Sequence, residues 1–447
     1  MNISGKTPLL RAKELENYLG VKEIYLKLEG ANPYGHKFDR IAEVLVKDAM
    51  EMDRKIILAD GTQSYIKSLK EYANNSSLEI KIPVFTNERW KRKEYKEQEL
   101  IDFTRTKFQN RMVFLSDYCK ENDYYNGTGY NSRQLSHMAL EGLGEEITQK
   151  LKGRVSSVFA QLSYGYTVTS LYSGFVREWV HGDMEEYPQI FSCTIPKGNK
   201  IYDDYKKNLQ IDNIDQYHVK LNKYSRHLFT DESYLLEETL KAVRDTRGSI
   251  ISVNEGLLKE SANILRRKED ILLSTEEAYP FAGFYKMAKE GKISKGKHVI
   301  ILNDAASNIE IQEIKDYSKY SLKDLADIVE EWLVEFGDPR GEIEDAVKNA
   351  IEKGYFFLAY RNGSPQGVCV LVNINVDVFL ATYHMAYIGT KVGNKGRGIA
   401  TKLIEKAVEA SDGKLSLHVD MDNARARKLY EKAGFKTKYY RMDYIED

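Results

Sequence analysis

The stretch KTPLLRAKELENYLGVKEIYLKLEGANPYGHKFDRIA (6–42) sets the pattern for the first part of the chain. It holds a short apolar strand, EIYLKLE (23–29), and leads into the amphipathic segment RIAEVLVKDAMEM (40–52). Further short apolar strands, separated by helical segments, are KIILAD (55–60), KIPVFTN (81–87), SSVFAQL (156–162), QIFSCTI (189–195), SIISV (249–253) and HVIILND (298–304). Strands that alternate with helices predict an α/β fold, a mainly parallel sheet covered on both faces.

A second region follows the polar stretch DAASN (304–308), which is a reasonable domain boundary. The pattern there predicts strands and helices in a mixed order: a strand at 309–314, a helix at 321–336, strands at 355–362, 366–377 and 382–390, a helix at 399–410, a strand at 415–422, a helix at 424–434 and a strand at 437–445. We therefore predict two domains, residues 1–308 and 309–447, the second with an α+β fold.

Composition favours a soluble enzyme. The 447 residues are 42% hydrophobic and 30% charged, enough for more than one packed domain. A net charge of −1 gives no reason to expect a nucleic acid or a membrane as partner, and the N-terminus lacks the apolar run of a secretory signal. The three cysteines, Cys119, Cys193 and Cys369, have no zinc-ligand spacing. We expect a cytoplasmic protein with free thiols and no metal site.

Two motifs in the second region point to one cofactor. The loop KGRGIA (395–400) precedes an amphipathic helix, and its glycines would let backbone amides approach a pyrophosphate, although a plain turn has the same composition. The segment LHVDMDNARARKLYEKAGF (417–435) follows further along the chain. Together KGRGIATKLI and NARARKLYEKAGF resemble the GNAT-type N-acetyltransferases over residues 309–445. Lys395 stands where that family usually has Arg or Gln.

This resemblance implies acetyl-CoA as co-substrate and assigns the following roles. Asn423 would contact the cofactor arm, and Tyr430 would protonate the departing thiolate, the alternative being a packed aromatic ring. The strand at Ile388 and Thr390 would hydrogen-bond the pantetheine. The pyrophosphate would be held by the backbone amides of Lys395, Gly396, Arg397, Gly398, Ile399 and Ala400.

The general base of the acetyl transfer is left open by the motifs. His384 and Tyr387 lie on the strand before the glycine loop, and His418 lies on the next strand. We take His384 as the first candidate, because histidine titrates near neutral pH. Each of the three is also compatible with a surface or packed side chain.

The first region resembles the fold-type II pyridoxal-phosphate enzymes, the threonine synthase and cysteine synthase group. Those proteins read T-P-L, then a strand, then E-x-x-N-P-T-G-S-x-K-D-R, and their lysine forms a Schiff base with the cofactor. Lys37 is the only lysine between Lys27 and Lys47, so the resemblance assigns it this role, against the alternative of a solvated lysine at a helix start. It also implies a two-lobed domain, pyridoxal 5'-phosphate as cofactor and a homodimer.

Two further segments and one residue, Asn303, correspond to positions of the same family. The segment AQLSYGYTVTSLYSGF (160–175) occupies the place of the phosphate-binding loop, and GTQSYIKS (61–68) that of the loop that binds the substrate carboxylate. Asn303 stands where the family has a hydroxyl that meets the pyridine nitrogen. The implied phosphate-loop residues are Ser163, Tyr164, Gly165, Tyr166 and Thr167, and the implied substrate-binding residues are Gly61, Thr62, Gln63 and Ser64.

The same segments depart from the family in four ways. The lysine sits in GHKFDR, the substrate loop lacks its second glycine and its asparagine, the phosphate loop carries Tyr164 and Tyr166, and Asn303 replaces a hydroxyl. Such changes indicate altered chemistry or loss of the cofactor.

Three hypotheses therefore stand. In the first, the chain is bifunctional: one domain carries out elimination or replacement on an amino acid, and the other acetylates an amino acid or a related amine. In the second, the N-terminal domain is a cofactor-free module that binds a ligand or regulates the acetyltransferase. In the third, it is a scaffold for oligomerisation. Fusion favours the first, because tethered sites raise the effective concentration of a shared intermediate.

Overall fold

The computed structural model describes residues 4–74, 76–88, 90–208, 222–230, 235–333, 338–361, 364–374, 381–391, 398–420 and 422–438. The chain forms two compact units, Met1–Ser307 and Asn308–Asp447. Among the described residues, no helix is long and apolar enough to cross a membrane. Cys119, Cys193 and Cys369 are buried and free.

The first unit alternates strands and helices along the chain. Its strands are β1 (Leu9–Arg11), β2 (Ile24–Leu28), β3 (Ile56–Leu58), β4 (Glu79–Val84), β5 (Leu100–Asp102), β6 (Tyr125–Asn126), β7 (Ser157–Gln161), β8 (Gln189–Thr194), β9 (Ser249–Ser252), β10 (Ile271–Leu272), β11 (His298–Leu302) and β12 (Ala306–Ser307). Its helices are α1 (Lys13–Leu19), α2 (Asp39–Glu51), α3 (Gln63–Ala73), α4 (Lys91–Glu94), α5 (Arg111–Glu121), α6 (Tyr130–Leu151), α7 (Tyr166–His181), α8 (Lys200–Asn208), α9 (Leu236–Asp245), α10 (Glu255–Glu269) and α11 (Tyr279–Lys289).

Two parallel sheets carry this unit. The larger has the order β1-β2-β11-β7-β8-β9 and is parallel apart from the β1–β2 pair, and the smaller has the order β5-β4-β3-β6 and is parallel throughout. All five residues of β11 are buried, with Val299 and Ile301 in one hydrophobic core and Ile300 and Leu302 in the other. A strand buried on both faces reads as a continuous apolar run, which is why HVIILND was recognisable. The α/β fold with mainly parallel sheets is confirmed.

The second unit is built around one mixed sheet. Its strands are β13 (Glu310–Glu313), β14 (Tyr355–Arg361), β15 (Ser364–Asn373), β16 (Tyr383–Thr390) and β17 (Leu415–Leu417), and its helices are α12 (Leu322–Trp332), α13 (Arg340–Glu352), α14 (Ile399–Ala410) and α15 (Ala424–Lys432). The sheet order is β13-β14-β15-β16-β17, antiparallel except for the β16–β17 pair. The α+β prediction is confirmed.

Two details of this unit differ from the pattern-based prediction. Strand β17 ends at Leu417, whereas the sequence predicted a strand over 415–422. It is the edge strand, its residues are only partly buried, and His418 and Asp420, which follow it, are exposed. Helix α13 was not predicted, and most of the strand predicted at 437–445 lies outside the described residues.

Candidate active sites

The three central strands of the large sheet end at the same edge and bring the predicted residues together. Strands β2, β11 and β7 are neighbours and run parallel. Lys37 follows β2, Asn303 follows β11 directly, and the loop Ser163–Thr167 follows β7. The crevice outside the carboxyl ends of parallel strands is the usual ligand site of an open α/β sheet.

Lys37 lies at the centre of this edge. Only 4% of the residue is exposed, its backbone N–H donates to the Asn303 carbonyl at 2.8 Å, and its Nζ donates to Thr167 Oγ1 at 2.6 Å. Burial lowers the pKa of Lys37 to about 8, although the carboxylates of Glu277 and Glu29 oppose the shift. An amine with such a pKa is partly unprotonated near neutral pH, as a nucleophilic lysine requires. The alternative of a solvated lysine is wrong.

The loop after β7 has the geometry of an anion site. Gly165 takes a positive φ of 95° and caps the start of α7, where side-chain-bearing residues are strained. A Cβ at Gly165 would also overlap Thr239 Oγ1. The buried Asn199 fixes the loop, since its Nδ2 donates to the Ser163 carbonyl at 3.0 Å. The first turn of α7 lies beside Lys37, since Thr167 contacts it, and a helix start in this place is suited to a phosphate.

The two tyrosines of this loop leave the helix start intact. Tyr166 is the first residue of α7, and burial raises its pKa. Tyr164 has a partner of its own in the structure. Thr167 contributes its hydroxyl to Lys37, so one predicted loop residue has a direct contact with the lysine.

The predicted substrate loop starts helix α3 in the small sheet's half of the unit. Thr62 Oγ1 accepts from the Tyr65 N–H at 3.4 Å as the helix cap, and Gln63 and Ser64 form the first turn. The Tyr65 ring packs edge-on against Phe38, the neighbour of Lys37, with centroids 5.7 Å apart. A Cβ at Gly61 would overlap that same Tyr65 ring. The structure thus connects the 61–64 loop to the lysine through two aromatic rings.

A charged pair anchors the start of that loop. Arg111 Nε donates to Asp60 Oδ2 at 2.7 Å, and its guanidinium also reaches Glu88 Oε1 at 2.9 Å. Burial opposes ionisation of Asp60, but Arg111 and Lys91 hold its pKa below the usual range. Asp60 directly precedes Gly61, so this pair fixes the position of the loop. Sequence reasoning did not single out any of these charges.

A second cluster missed by the sequence centres on Glu277. Its Oε2 accepts from Asn303 Nδ2 at 2.7 Å and from Gln161 Nε2 at 2.9 Å, and its Oε1 lies 3.7 Å from His36 Nε2. Burial alone would raise the pKa of Glu277, but the imidazoles of His36 and His227 and these donors hold it well below the usual range. The cluster is therefore a buried carboxylate beside Asn303 and within electrostatic reach of Lys37.

Buried charges also hold the turn before Lys37. Arg40 Nε donates to Glu29 Oε2 at 2.7 Å, and its Nη1 donates to Glu146 Oε1 at 2.8 Å. Lys27 Nζ contacts Glu146 Oε2 and Thr7 Oγ1, both at 2.5 Å. Two cations and two carboxylates balance one another in this network, and Glu29 is fully buried. Thr7 and Glu29 of the sequence motif are thus structural supports for the segment that carries the lysine.

In the second unit, the strands next to the glycine loop separate. In the described part of the chain, strands β16 and β17 pair at Tyr383–Leu415, His384–Ser416 and Met385–Leu417. Beyond Met385, among the described residues, β16 continues to Thr390 paired with β15 alone. Ile388 and Thr390 therefore lie where the β17 side of the strand is open, as a pantetheine-binding strand requires.

The predicted pyrophosphate loop belongs only in part to the described residues. Lys395, Gly396 and Arg397 lie outside the described residues. Gly398 has a φ of 80° and caps α14, which begins with Ile399 and Ala400. This helix start, like that of α7, presents free amides to an anion.

Tyr430 and Asn423 lie at opposite ends of α15. Tyr430 belongs to the hydrophobic cluster that contains Cys369 and Ile388, and burial raises its pKa to about 12. Its hydroxyl therefore stays protonated at neutral pH. Asn423 is the helix cap, since its Oδ1 accepts from the Ala426 N–H at 3.0 Å.

His384 lies at the closed end of the strand pair. Its Nδ1 is 3.0 Å from Ser416 Oγ, and its ring contacts His418 with centroids 4.4 Å apart. It precedes Ile388 by four residues, about 13 Å along a strand. Tyr387 lies next to Ile388 instead, and its hydroxyl donates to Asp338 Oδ2 at 2.8 Å. Asp338 was not predicted, because it belongs to no motif and precedes a helix that the pattern did not reveal.

Comparisons with known proteins match each of the two units to an enzyme family. Residues 2–304 match the pyridoxal-phosphate dependent enzyme family, and residues 325–435 match the acetyltransferase (GNAT) family. The chain is 22% identical to the threonine synthase of Methanocaldococcus jannaschii over 303 residues, 67% of this chain and 73% of that protein. It is 21% identical to the threonine synthase of Methanosarcina acetivorans over 321 residues, 69% of this chain and 78% of that protein.

Solved structures share the fold of the first unit. The processed form of threonine deaminase isoform 2 from Solanum lycopersicum superposes with a TM-score of 0.53 at 14% identity, covering 69% of this chain and 86% of that one. A pyridoxal 5'-phosphate-dependent aspartate racemase superposes with a TM-score of 0.50 at 11% identity, covering 67% and 89%. Identities this low establish a common fold and leave the reaction open.

Proposed function

Because the chain belongs to the pyridoxal-phosphate dependent enzyme family and carries a GNAT acetyltransferase domain, we propose that it is a bifunctional enzyme. Its first unit would carry out elimination or replacement on an amino acid with pyridoxal 5'-phosphate. Its second unit would transfer the acetyl group of acetyl-CoA to the amine of an amino acid or a related compound. The observation that carries the first half is the buried Lys37, held between Thr167 and Asn303.

The residues of the first site fit pyridoxal phosphate. The start of α7 offers amides and a glycine cradle to a phosphate, and Lys37 offers an amine of lowered pKa to the aldehyde. Two buried hydroxyl and amide oxygens, Thr239 Oγ1 and Asn303 Oδ1, have no hydrogen-bond partner among the described residues. Bound pyridoxal phosphate supplies an electron sink for bonds at the α-carbon of an amino acid.

The chain's own residues would then divide the work. Ser163 to Thr167 hold the phosphate, and Lys37 holds the cofactor and later moves a proton at the substrate α-carbon, a task suited to an amine of pKa about 8. The loop Gly61–Ser64 binds the substrate carboxylate with its amides at the start of α3. Phe38 packs beside the amine, with Lys37 Nζ 5.4 Å from its ring centroid, and Tyr65 packs against Phe38.

In the second unit, the open face of β16 and the start of α14 would hold acetyl-CoA. The amides of residues 395–400 take the pyrophosphate, Ile388 and Thr390 bind the pantetheine, and Asn423 orders the helix start beside the cofactor arm. Tyr430 protonates the departing thiolate, because its hydroxyl keeps its proton until about pH 12.

The proton of the incoming ammonium goes to a carboxylate in this proposal. Tyr387 lies beside the open part of β16 and is hydrogen-bonded to Asp338, with Glu342 near enough to raise the tyrosine pKa further. Two carboxylates around one hydroxyl attract a cationic amine and offer it an acceptor. His384 is the weaker candidate for the base, because it is bound to Ser416 at the closed end of the strands.

An absorption measurement tests the first half of the proposal. The purified full chain, given pyridoxal phosphate, should show a visible chromophore that borohydride bleaches, and mass mapping should find the reduced cofactor on Lys37. Lys37→Ala should remove both signals, whereas Lys47→Ala, an exposed lysine in the same segment, should keep them. A protein that takes up no cofactor would instead support the alternative, in which the first unit is a cofactor-free ligand-binding, regulatory or oligomerisation module.

A homodimer remains part of the proposal.

A further inference from the structure

The carboxylate of Glu277 fixes the orientation of two amide side chains. Asn303 and Gln161 both donate their N–H₂ groups to the same oxygen of Glu277, at 2.7 and 2.9 Å. An ionised carboxylate can only accept hydrogen bonds, and the surrounding donors keep Glu277 ionised. Neither amide can therefore turn its carbonyl toward Glu277. Each must point its oxygen elsewhere.

Those two oxygens are buried acceptors with unmet capacity. Asn303 is 3% exposed and Gln161 is 8% exposed, and among the described residues neither Asn303 Oδ1 nor Gln161 Oε1 has a hydrogen-bond partner. A buried polar atom left without a partner costs about 1–3 kcal/mol. The site is thus built to receive a ligand that carries an N–H or O–H donor.

The position of Asn303 identifies which ligand atom this is. Its backbone carbonyl accepts from Lys37 N–H at 2.8 Å, so the Asn303 side chain lies next to the lysine site. In the family that the chain resembles, a hydroxyl at this position meets the ring nitrogen of pyridoxal phosphate. A hydroxyl can donate to an unprotonated ring nitrogen or accept from a protonated one. The Asn303 oxygen, turned away from Glu277, can only accept.

We propose that Asn303, oriented by Glu277, binds the ring nitrogen of pyridoxal phosphate in its protonated form, so that the site holds a pyridinium where hydroxyl-bearing relatives allow a neutral ring. This assignment rests on the proposed function of the first unit. The negative charge of Glu277, one side chain away, favours the same protonation state. Gln161 supplies the second amide that keeps Glu277 in place.

The consequence is a change in the chemistry of the site. A protonated ring withdraws electrons from the substrate α-carbon more strongly than a neutral ring does, so it lowers the barrier to removing the α-proton. The substitution of Asn for a hydroxyl then marks a site tuned for reactions that begin with removal of that proton.

Nuclear magnetic resonance tests the assignment without any substrate. The full chain is loaded with pyridoxal phosphate carrying ¹⁵N in the ring, and the ring-nitrogen shift is followed from pH 6 to 9, since protonated and neutral pyridine nitrogens resonate far apart. We expect the protonated position throughout this range. Asn303→Ser, which restores a hydroxyl, should move the signal to the neutral position or bring its titration into the range. Glu277→Gln should do the same, because it removes the charge and lets the Asn303 amide turn.

The outcomes separate the two levels of the proposal. A loaded native protein with a neutral ring nitrogen overturns the assignment while the proposed cofactor site stands. An Asn303→Ser protein that loads normally and keeps a protonated nitrogen shows that another group sets the protonation, and it also overturns the assignment. A native protein that binds no cofactor overturns the proposed function and this assignment with it.

Discussion

Replacing Lys37 by methionine should stabilise the cofactor-free protein at pH 7. The side chain is buried, and its pKa of about 8, against 10.5 for an unperturbed lysine, means that the folded state pays about 3 kcal/mol to keep it protonated. Methionine has a similar length and no charge. It forfeits the 2.6 Å hydrogen bond to Thr167, a loss of about 1–2 kcal/mol. The net expectation is a gain of about 1–2 kcal/mol in the free energy of unfolding.

This difference in stability should disappear as the pH rises. The unfolded chain keeps the lysine proton up to about pH 10.5, whereas the folded chain releases it near pH 8. The unfolded state therefore binds more protons between these values, and the native protein gains stability as pH rises through the window. Lys37→Met lacks this gain. At pH 10 the penalty on the native protein has fallen to about 1 kcal/mol, which the hydrogen bond to Thr167 offsets, so the two proteins should be equally stable to within about 1 kcal/mol.

Urea unfolding followed by tryptophan fluorescence measures both effects on the full chain. A Trp332→Phe background leaves Trp90 and Trp179, both in the first unit, as the reporters. The control is Lys47→Met, an exposed lysine paired with Glu43, which should change stability by less than about 1 kcal/mol at either pH. A Lys37→Met protein that is less stable than the native one at pH 7, or a difference that does not vary with pH, would refute the reasoning.

Three further predictions concern the acetyltransferase site and the buried charges. Tyr430→Phe should lower kcat by about 10²-fold or more without raising the KM for acetyl-CoA, as measured by the release of free thiol. The loss should be the same at every pH from 7 to 9, because the pKa of Tyr430 is about 12. An unchanged kcat would contradict the acid role. Asp338→Asn should lower kcat/KM for the amine more than His384→Asn does, measured with a panel of amino acids and simple amines. If His384→Asn has the larger effect, His384 is the base instead. Arg40→Met should lower the free energy of unfolding of the first unit, measured in urea, by about 3–5 kcal/mol, because Glu29 stays buried without its main partner. A loss below about 1 kcal/mol would show that Lys27 alone is enough to balance the charge of Glu29.

Elements with a strong local signal could be predicted from the sequence. The buried strands of the large sheet are apolar runs bounded by polar residues, and each of the seven predicted in the first region is present in the structure. The partnership of Lys37, Thr167 and Asn303 followed from the family motifs, because each motif lies at the end of one of three neighbouring parallel strands. Motifs of this kind place residues at a common edge even when they are far apart in sequence.

Contacts between a motif residue and a distant residue outside the motifs could not be predicted. Glu277 meets Gln161, 116 positions away, and nothing in the sequence around either residue marks the pair. The same holds for Arg40 and Glu146, 106 positions apart, and for Tyr387 and Asp338. Such pairs depend on how helices pack against a sheet edge, which hydrophobic periodicity alone does not encode. The base of the acetyl transfer was open for this reason.

The four departures from the family motifs differ in what they change at the first site. The parts that would hold the cofactor are kept: Lys37 is buried with a lowered pKa, Thr167 contacts it, and Gly165 caps α7 in the conformation that a phosphate loop needs. Two of the departures, at Asn303 and in the 61–64 loop, lie where the ring nitrogen and the substrate carboxylate would be bound. The other two, the GHKFDR sequence around the lysine and the tyrosines of the phosphate loop, leave these contacts in place. A domain that had lost its cofactor would have no reason to keep a lysine buried at a cost in stability. The pattern instead favours a site that still binds pyridoxal phosphate and uses it on a different substrate, or for a different reaction, from its relatives.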